Sequence, residues 1–282
     1  MTTILCGTDF SASADQAVDV AAALGRRGDA VLHLVHVGEA GGEAAVRLDE
    51  VADRVSAAGV RVAAETAPGI PDEVLVDRAR HLRPGLVVLG AHGRRAPARW
   101  LLGSIAERVA QESPVPVFVV RESARLLRWL SGDGSLRVMV AVDRSESSRI
   151  ALEGARALAR FGPCEITAVH VAWLPGEFER YGLSGPMALD TVPAELLARL
   201  EPDLRAVITP GERADAVRLM VRPGLGRPDV HLTAVAAEEG ADLIVVGSHQ
   251  RSGLDRWWHG SVARGVLVQA PTSVMVVPAP AP

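Results

Sequence analysis

The sequence contains no lysine, because all 30 of its basic residues are arginine. This absence excludes mechanisms that need a lysine ammonium, including a Walker A phosphate loop, a Schiff base and a catalytic lysine. Cysteine is also scarce, with only Cys6 and Cys164 present. Two isolated cysteines favour structural roles in a reduced cytoplasmic protein over a disulfide scaffold.

A long apolar segment is missing as well. Runs such as Leu86–Gly90 and Leu243–Gly247 are far too short to span a bilayer. Residues 1–10 have neither the basic nor the apolar region of a signal peptide. The net charge of −4 gives no excess of basic residues for a nucleic-acid backbone. We therefore expect a cytoplasmic protein with no nucleic-acid partner and no membrane association.

What the chain does contain is an internal repeat. Asp9 and Asp143 end similar apolar runs that lie 134 residues apart, whereas Gly90 and Gly247 end similar runs 157 residues apart. The difference places a 23-residue insertion in the second copy, after Val171. A length of 282 residues with 48% hydrophobic residues suits two packed domains.

The repeat predicts domain 1 at residues 1–120, a turn-rich linker at 121–135 and domain 2 at 136–282. Short apolar runs without polar alternation are typical of strands buried on both faces of a parallel sheet, and helical segments between them imply right-handed crossovers. The sequence thus predicts two tandem doubly wound α/β domains, each with a five-stranded, mainly parallel sheet. The strands are expected at residues 3–8, 31–37, 60–66, 86–90 and 115–120, and at 136–142, 165–171, 217–222, 243–247 and 272–277.

Candidate binding residues follow the strands of the first copy, where doubly wound sheets bind ligands. Asp9 follows the first strand and Val37 ends the second. A glycine pattern comes after the fourth strand and leads into a helix. Glycines let backbone N–H groups approach an anion, and a helix N-terminus favours one. The members of this pattern are Gly90, Gly93, Gly103 and Ser104.

These residues resemble the universal stress protein family, whose ATP-binding members carry G-x2-G-x9-G-[ST] after the fourth strand and an aspartate after the first. The resemblance implies a Rossmann-like fold of the kind found in adenine nucleotide alpha hydrolases, with ATP and Mg²⁺ as the bound cofactor. It implies that Asp9 contacts the ribose or adenine, that Val37 offers backbone to the base, and that the glycines and Ser104 hold the phosphates. The implied activity is nucleotide-dependent stress sensing or signalling.

The second copy matches the same pattern less completely. Gln250 stands where the first copy has Gly93. The glutamine either weakens this site, through its Cβ and a disfavoured positive φ, or replaces the lost contact with its amide donors. The second-copy candidates are Asp143, Val171, Gly247, Gly260 and Ser261.

Other functions remain open at this point. A slow ATPase would use the same loop with Mg²⁺, and a stress-response interaction protein would bind no nucleotide. The histidines lack the spacing of a helical zinc site, and the missing lysine argues against a receiver-type phosphoacceptor. By analogy with family homodimers, the apolar terminal strands are expected to pair within one chain and form a pseudo-dimer. Further association of whole chains is left open, and the insertion is either a lid over site 2 or an interface.

Overall fold

The computed structural model describes residues 3–39, 41–93, 102–184, 189–208, 217–248 and 261–279. In the first half, apolar runs form strands and the segments between them form helices. The strands are β1 (Thr3–Thr8), β2 (Val31–Val37), β3 (Val62–Ala67), β4 (Leu86–Gly90) and β5 (Val117–Val120). The helices are α1 (Ala12–Gly28), α2 (Gly42–Ala57), α3 (Pro71–Leu82) and α4 (Ser104–Glu112).

The second half repeats this alternation with additional helices. Its strands are β6 (Leu136–Ala141), β7 (Cys164–Trp173), β8 (Arg218–Gly224), β9 (Leu243–Ser248) and β10 (Ser273–Pro278). Its helices, counted from the segment that joins the halves, are α5 (Ala124–Ser131), α6 (Glu146–Ala157), α7 (Leu174–Tyr181), α8 (Ala194–Ile208), α9 (Pro228–Glu238) and α10 (Ser261–Gln269). Within the described part of the chain, none of these helices is both long enough and apolar enough to cross a membrane.

The ten strands form one sheet in the order β3-β2-β1-β4-β5-β10-β9-β6-β7-β8. Within each half all neighbouring strands are parallel. The two halves join through β5 and β10, which pair antiparallel with Phe118 opposite Met275. The predicted α/β class with two doubly wound halves is confirmed, and the terminal strands pair as the sequence suggests.

Helices cover both faces of this sheet and create two apolar layers. One layer contains residues of α1, α2, α5, α6, α7 and α8, and the other contains residues of α3, α4, α9 and α10. The central strands between them are buried, as in β5, where all four residues are buried, whereas the edge strands β3 and β8 are partly exposed. The helices that follow β1 and β4 therefore lie on opposite faces, which opens a cleft between these two strand ends.

The segment predicted as a turn-rich linker is mostly the packed helix α5. Trp129 on this helix is 1% exposed, and its indole N–H donates to the carbonyl of Pro163 at 2.9 Å. Arg125 pairs with the buried Asp242 of the second half at 2.7 Å. On the other side, Arg27 of α1 donates to the carbonyl of Leu130 at 2.8 Å. Because α5 contacts both halves, the connection fixes them together instead of acting as a flexible tether.

Candidate functional site

A cavity opens in the first half where the strand order reverses between β1 and β4. Its volume is about 840 Å³, and small-molecule sites typically occupy ~300–1,000 Å³. It lies at the carboxyl ends of the strands, the usual ligand position in such sheets. All residues predicted for the first site line this one cavity, here called site 1: Asp9, Val37, Gly90, Gly93, Gly103 and Ser104.

The turn after β1 sets the position of Asp9. The backbone N–H of Ser11 donates to Asp9 Oδ1 at 3.0 Å, and the N–H of Phe10 donates to Thr8 Oγ1 at 3.1 Å. Phe10 has a φ of 60°, a left-handed conformation that is uncommon for a bulky residue. Ser11 then caps α1 by accepting the N–H of Ala14 at 3.2 Å. Local hydrogen bonds thus hold Asp9 at the mouth of site 1 before the helix begins.

His36 ties the ends of β1 and β2 together. Its Nδ1 donates to the carbonyl of Thr8 at 2.8 Å, and a carbonyl can only accept, so this nitrogen carries the proton. The imidazole stacks on Phe10 with ring centroids 4.5 Å apart, and the Arg47 guanidinium lies 4.8 Å from the Phe10 ring centroid. This stack supports the left-handed conformation of Phe10. His170 makes the same strand-end hydrogen bond in the second half, at 2.8 Å.

Gly90 and Gly93 each leave room that a side chain would fill, but the atoms that need this room differ between the two glycines. A Cβ on Gly90 would lie 2.6 Å from the carbonyl carbon and oxygen of Ser13, so this glycine lets the start of α1 approach β4. A Cβ on Gly93 would lie 3.0 Å from Asp9 Oδ2. Neither glycine adopts a positive φ. In site 1, Gly93 therefore provides space and not an unusual backbone geometry.

Helix α4 begins at the wall of site 1. Its N-cap is Gly103, and no described side chain accepts a hydrogen bond from its first turn. The N–H of Gly103 itself donates to the Ala91 carbonyl at 2.8 Å. Ser104, Ile105 and Ala106 line the cavity. First-turn N–H groups without a capping side chain, at the positive end of the helix dipole, suit an anion such as a phosphate.

The charge of site 1 is low within the described residues. Asp9 is the one carboxylate among the described lining residues, and none of them is an arginine. The loop arginines Arg94, Arg95 and Arg99 lie outside the described residues. No group of three or more potential metal ligands occurs in the part of the chain that the structure describes. Within that part, the N–H groups at the start of α4 are suited to an anion.

A smaller cavity, here called site 2, lies at the corresponding place in the second half. Its volume is about 340 Å³. Gly260 and Gln250 lie outside the described residues. Gly247 repeats the packing of Gly90, because its Cβ would overlap the carbonyl oxygen of Ser147. The remaining residues predicted for the second site line the cavity: Asp143, Val171, Gly247 and Ser261.

The carboxylate of Asp143 in site 2 accepts two hydrogen bonds from residues that follow it in the chain. Its Oδ1 accepts the N–H of Ser145 at 2.8 Å and the hydroxyl of Ser148 at 2.7 Å. Burial would raise the pKa of the Asp143 carboxyl, but these bonds to Ser145 and Ser148 and the nearby His170 lower it below its usual range. The carboxylate of site 2 is therefore ionised and already bonded within its own turn.

The comparisons with known proteins agree with this geometry. A sequence model of the universal stress protein family matches residues 1–121 and 135–278, most of the chain. The chain belongs to the universal stress protein family. It is 30% identical to a universal stress protein of Mycolicibacterium smegmatis, over 97% of this chain and 96% of that protein. A universal stress protein of Mycobacterium tuberculosis strain H37Rv is 32% identical over 68% of this chain and 61% of its own length.

Solved structures support the same fold over the whole chain. A functionally unknown protein of Pseudomonas aeruginosa PAO1 superposes with a TM-score of 0.71 at 16% identity, covering 99% of this chain and 92% of that one. A universal stress protein of Archaeoglobus fulgidus superposes with a TM-score of 0.65 at 18% identity, covering 98% of both chains. At these identities the likeness concerns the fold alone.

This universal stress protein also holds a buried ionic cluster that the sequence did not reveal. Arg144, the counterpart of Phe10, pairs with Glu177 of α7 at 2.8 Å, with the two side chains 24% and 8% exposed. His170 Nε2 lies 3.7 Å from the same carboxylate. Burial would raise the pKa of Glu177, but the nearby His170 and the hydrogen bond and charge of Arg144 lower it to about 2. No sequence motif links these residues, because Glu177 lies in the region lengthened by the insertion.

The same cluster bears on the role of the insertion. Leu174 and Phe178 of α7 pack in the apolar layer that contains α1 and α6. The helices that line site 2 are α6, through Ser147 and Ser148, and α9 and α10. Helix α7 contributes no residue to the described lining of site 2. Among the described residues, this helix therefore packs beside the strand ends and adds no wall to site 2.

Glu177→Gln is expected to lower the free energy of unfolding at pH 7 by about 1.5–3 kcal/mol, the contribution typical of hydrogen bonds to charged groups. Because the pKa of Glu177 is lowered from 4.5 to about 2 in the folded chain, this stability is fully present above pH 4.5 and is lost as the pH falls towards 2. Urea unfolding across this pH range measures the difference.

The matched control is Glu153→Gln, which removes an exposed partner of Arg149 on α6. Exposed pairs contribute only about 0–1 kcal/mol, so this variant should stay close to the unmodified protein. Equal losses in the two variants, or a Glu177→Gln loss that does not shrink with falling pH, would contradict the role assigned to the cluster.

Proposed function

We propose that site 1 binds ATP with Mg²⁺ and that the protein acts in nucleotide-dependent stress sensing or signalling. The observation that carries this proposal is the meeting of all six predicted residues, from three separate strand ends and the start of α4, around one cavity of about 840 Å³. Asp9 offers a carboxylate for hydroxyl or amine donors of the nucleoside. The start of α4, which also lines the cavity, offers its uncapped first turn to the phosphates.

The two parts of such a ligand match the two chemical regions of the site. Val35, Leu75 and Leu89 give the cavity apolar walls, which suit the faces of a base. Gly93 and Gly103 leave the loop before α4 without Cβ atoms, which suits close approach of phosphate oxygens to backbone N–H groups. In the resemblance to ATP-binding family members, Mg²⁺ accompanies the phosphates and offsets their charge.

The direct test is mass spectrometry of the small molecules released when the purified full chain is denatured, followed by calorimetry with ATP, ADP and GTP, each with and without Mg²⁺. We expect ATP to be released or bound, with Mg²⁺ strengthening the binding. Incubating the bound ATP and following ADP then measures hydrolysis. A folded chain that binds no adenine nucleotide would overturn the proposal and favour a nucleotide-independent interaction protein.

Asp9→Ala is expected to weaken ATP binding by about ten- to a hundredfold, because losing one hydrogen bond to a charged group typically costs about 1.5–3 kcal/mol. Calorimetry on the folded variant measures this change. Asp49→Ala on α2 is the matched control, since it removes an exposed carboxylate that does not line the cavity. The assignment of Asp9 would be overturned by unchanged affinity in Asp9→Ala or by equal losses in both variants.

A further inference from the structure

Phe118 and Met275 mark an approximate two-fold axis between the halves. They lie 157 residues apart, as do Gly90 and Gly247, so they are counterparts in the repeat. In the antiparallel pair of β5 and β10 they lie directly opposite each other. This strand pair, together with the neighbouring helices α4 and α10, is here called the seam. In a pair of identical domains, counterparts that meet at the axis would be the same residue.

The two helices of the seam carry opposite charges at counterpart positions. Glu107 of α4 and Arg264 of α10 are also 157 residues apart, and Arg264 Nε donates to Glu107 Oε1 at 2.7 Å. Their side chains are 24% and 58% exposed, respectively. Two copies of the first half would place Glu107 against Glu107, and two copies of the second half would place Arg264 against Arg264. Both pairings would replace an attraction with a repulsion.

A second set of polar contacts crosses the seam in one direction only. Arg121, directly after β5, donates through Nη2 to two carbonyls in the last turn of α10, at 2.7 and 3.2 Å. Its backbone N–H donates to Ser273 Oγ at 3.1 Å. The counterpart of Arg121 is Pro278, which has neither donor, and the counterpart of Ser273 is Pro116, which has no hydroxyl. Two like halves would therefore lose at least one of these contacts.

We propose that the seam is a pairing surface that distinguishes the two halves: it accepts a first half against a second half and rejects two like halves. The partner that fits the first half is a domain with a cation at the position of Arg264 and a hydroxyl at the position of Ser273. An assembly built through this seam then always combines one cavity of about 840 Å³ with one of about 340 Å³. The inference goes beyond the proposed function and does not depend on what site 1 binds.

The main test imitates each like pairing within the full chain. Arg264→Glu sets two carboxylates against each other, and Glu107→Arg sets two guanidinium groups against each other. We expect the amide hydrogens of β5 and β10 to exchange about three- to tenfold faster in each variant at low salt, because the attraction of a partly exposed pair becomes a repulsion of similar size. The double variant restores opposite charges and should exchange at nearly the unmodified rate. Hydrogen exchange followed by mass spectrometry measures these rates.

The matched control is Arg54→Glu, which reverses one charge of an ion pair of the same length that lies within the first half. Arg54 and Asp19 are 2.7 Å apart and about half exposed. This variant should change the exchange of β5 and β10 less than either seam variant does. Equal acceleration in the control would indicate a general loss of stability and would overturn the inference.

Salt gives a readout that a purely steric effect would not change. At about 1 M salt the Debye length is only ~3 Å, so the acceleration in Arg264→Glu and Glu107→Arg should shrink. Three results would contradict the pairing role of the seam: unchanged exchange in both single variants, a double variant as fast as the single ones, or an acceleration of the same size at low and high salt.

Discussion

Gly103→Val is expected to weaken ATP binding at site 1 by about a hundredfold or more, a change of ~2.7 kcal/mol. The backbone of Gly103, with φ −69° and ψ 139°, accepts any residue, so the variant should fold. A Cβ there would lie 3.4 Å from the Ala91 carbonyl oxygen and 3.7 Å from the Gly93 nitrogen. The two methyl groups beyond it must then enter the space proposed for phosphate.

The experiment is calorimetry with ATP and Mg²⁺ on the full chain, with thermal unfolding as the check on folding. Gly103→Ala is the graded control, because its single methyl meets only near-ordinary contacts and should cause a smaller loss. If the Gly103→Val variant bound ATP as tightly as the unmodified chain, the phosphates could not lie against this loop. Equal losses in the alanine and valine variants would point instead to the loop's backbone, which Gly103 closes through its bond to Ala91.

The sequence predicts those features of the fold and of site 1 that depend on local residue patterns. All ten strands were expected from continuous apolar runs, and β4 and β9 match them closely, at Leu86–Gly90 and Leu243–Ser248. The first-site residues could be grouped because parallel strands end at one edge of a sheet, so Asp9, Val37 and Gly90 must lie near one another there. The structure places all three around one cavity.

The parts that the sequence could not supply depend on contacts between distant segments. Arg144 stands where the first copy has Phe10, but its partner Glu177 lies on a helix beyond β7 whose position no local pattern fixes. The linker looked turn-rich because of Gly132 and Gly134, which do adopt positive φ, yet the residues before them form α5. Its burial depends on surfaces from both halves, which only the assembled sheet provides.

Gly90 shows how a motif residue can have a structural reason beside the one its motif suggests. The glycine pattern assigns it to phosphate, and it does line site 1. The nearest atoms to its missing side chain, however, belong to the backbone of Ser13 at the start of α1, and Gly247 is placed in the same way against Ser147. The same packing thus occurs in both halves. It indicates that Gly90 lets α1 pack closely against β4, and that Gly247 lets α6 pack closely against β9.

Gly90→Ala is therefore expected to lower the free energy of unfolding by about 3 kcal/mol or more, at or above the upper end for overpacked cores, because backbone and not a side-chain tip must move. Its Cβ would lie 2.6 Å from the carbonyl carbon and oxygen of Ser13. Gly7→Ala on β1 is the matched control, since the atoms nearest to its Cβ would be the side-chain ends of Leu75 and Leu89, at 2.9 Å each. Urea unfolding of both variants measures the difference. If Gly90→Ala were as stable as Gly7→Ala and lost only ATP affinity, the packing role of Gly90 would be refuted. Phosphate binding would then be the reason for the glycine.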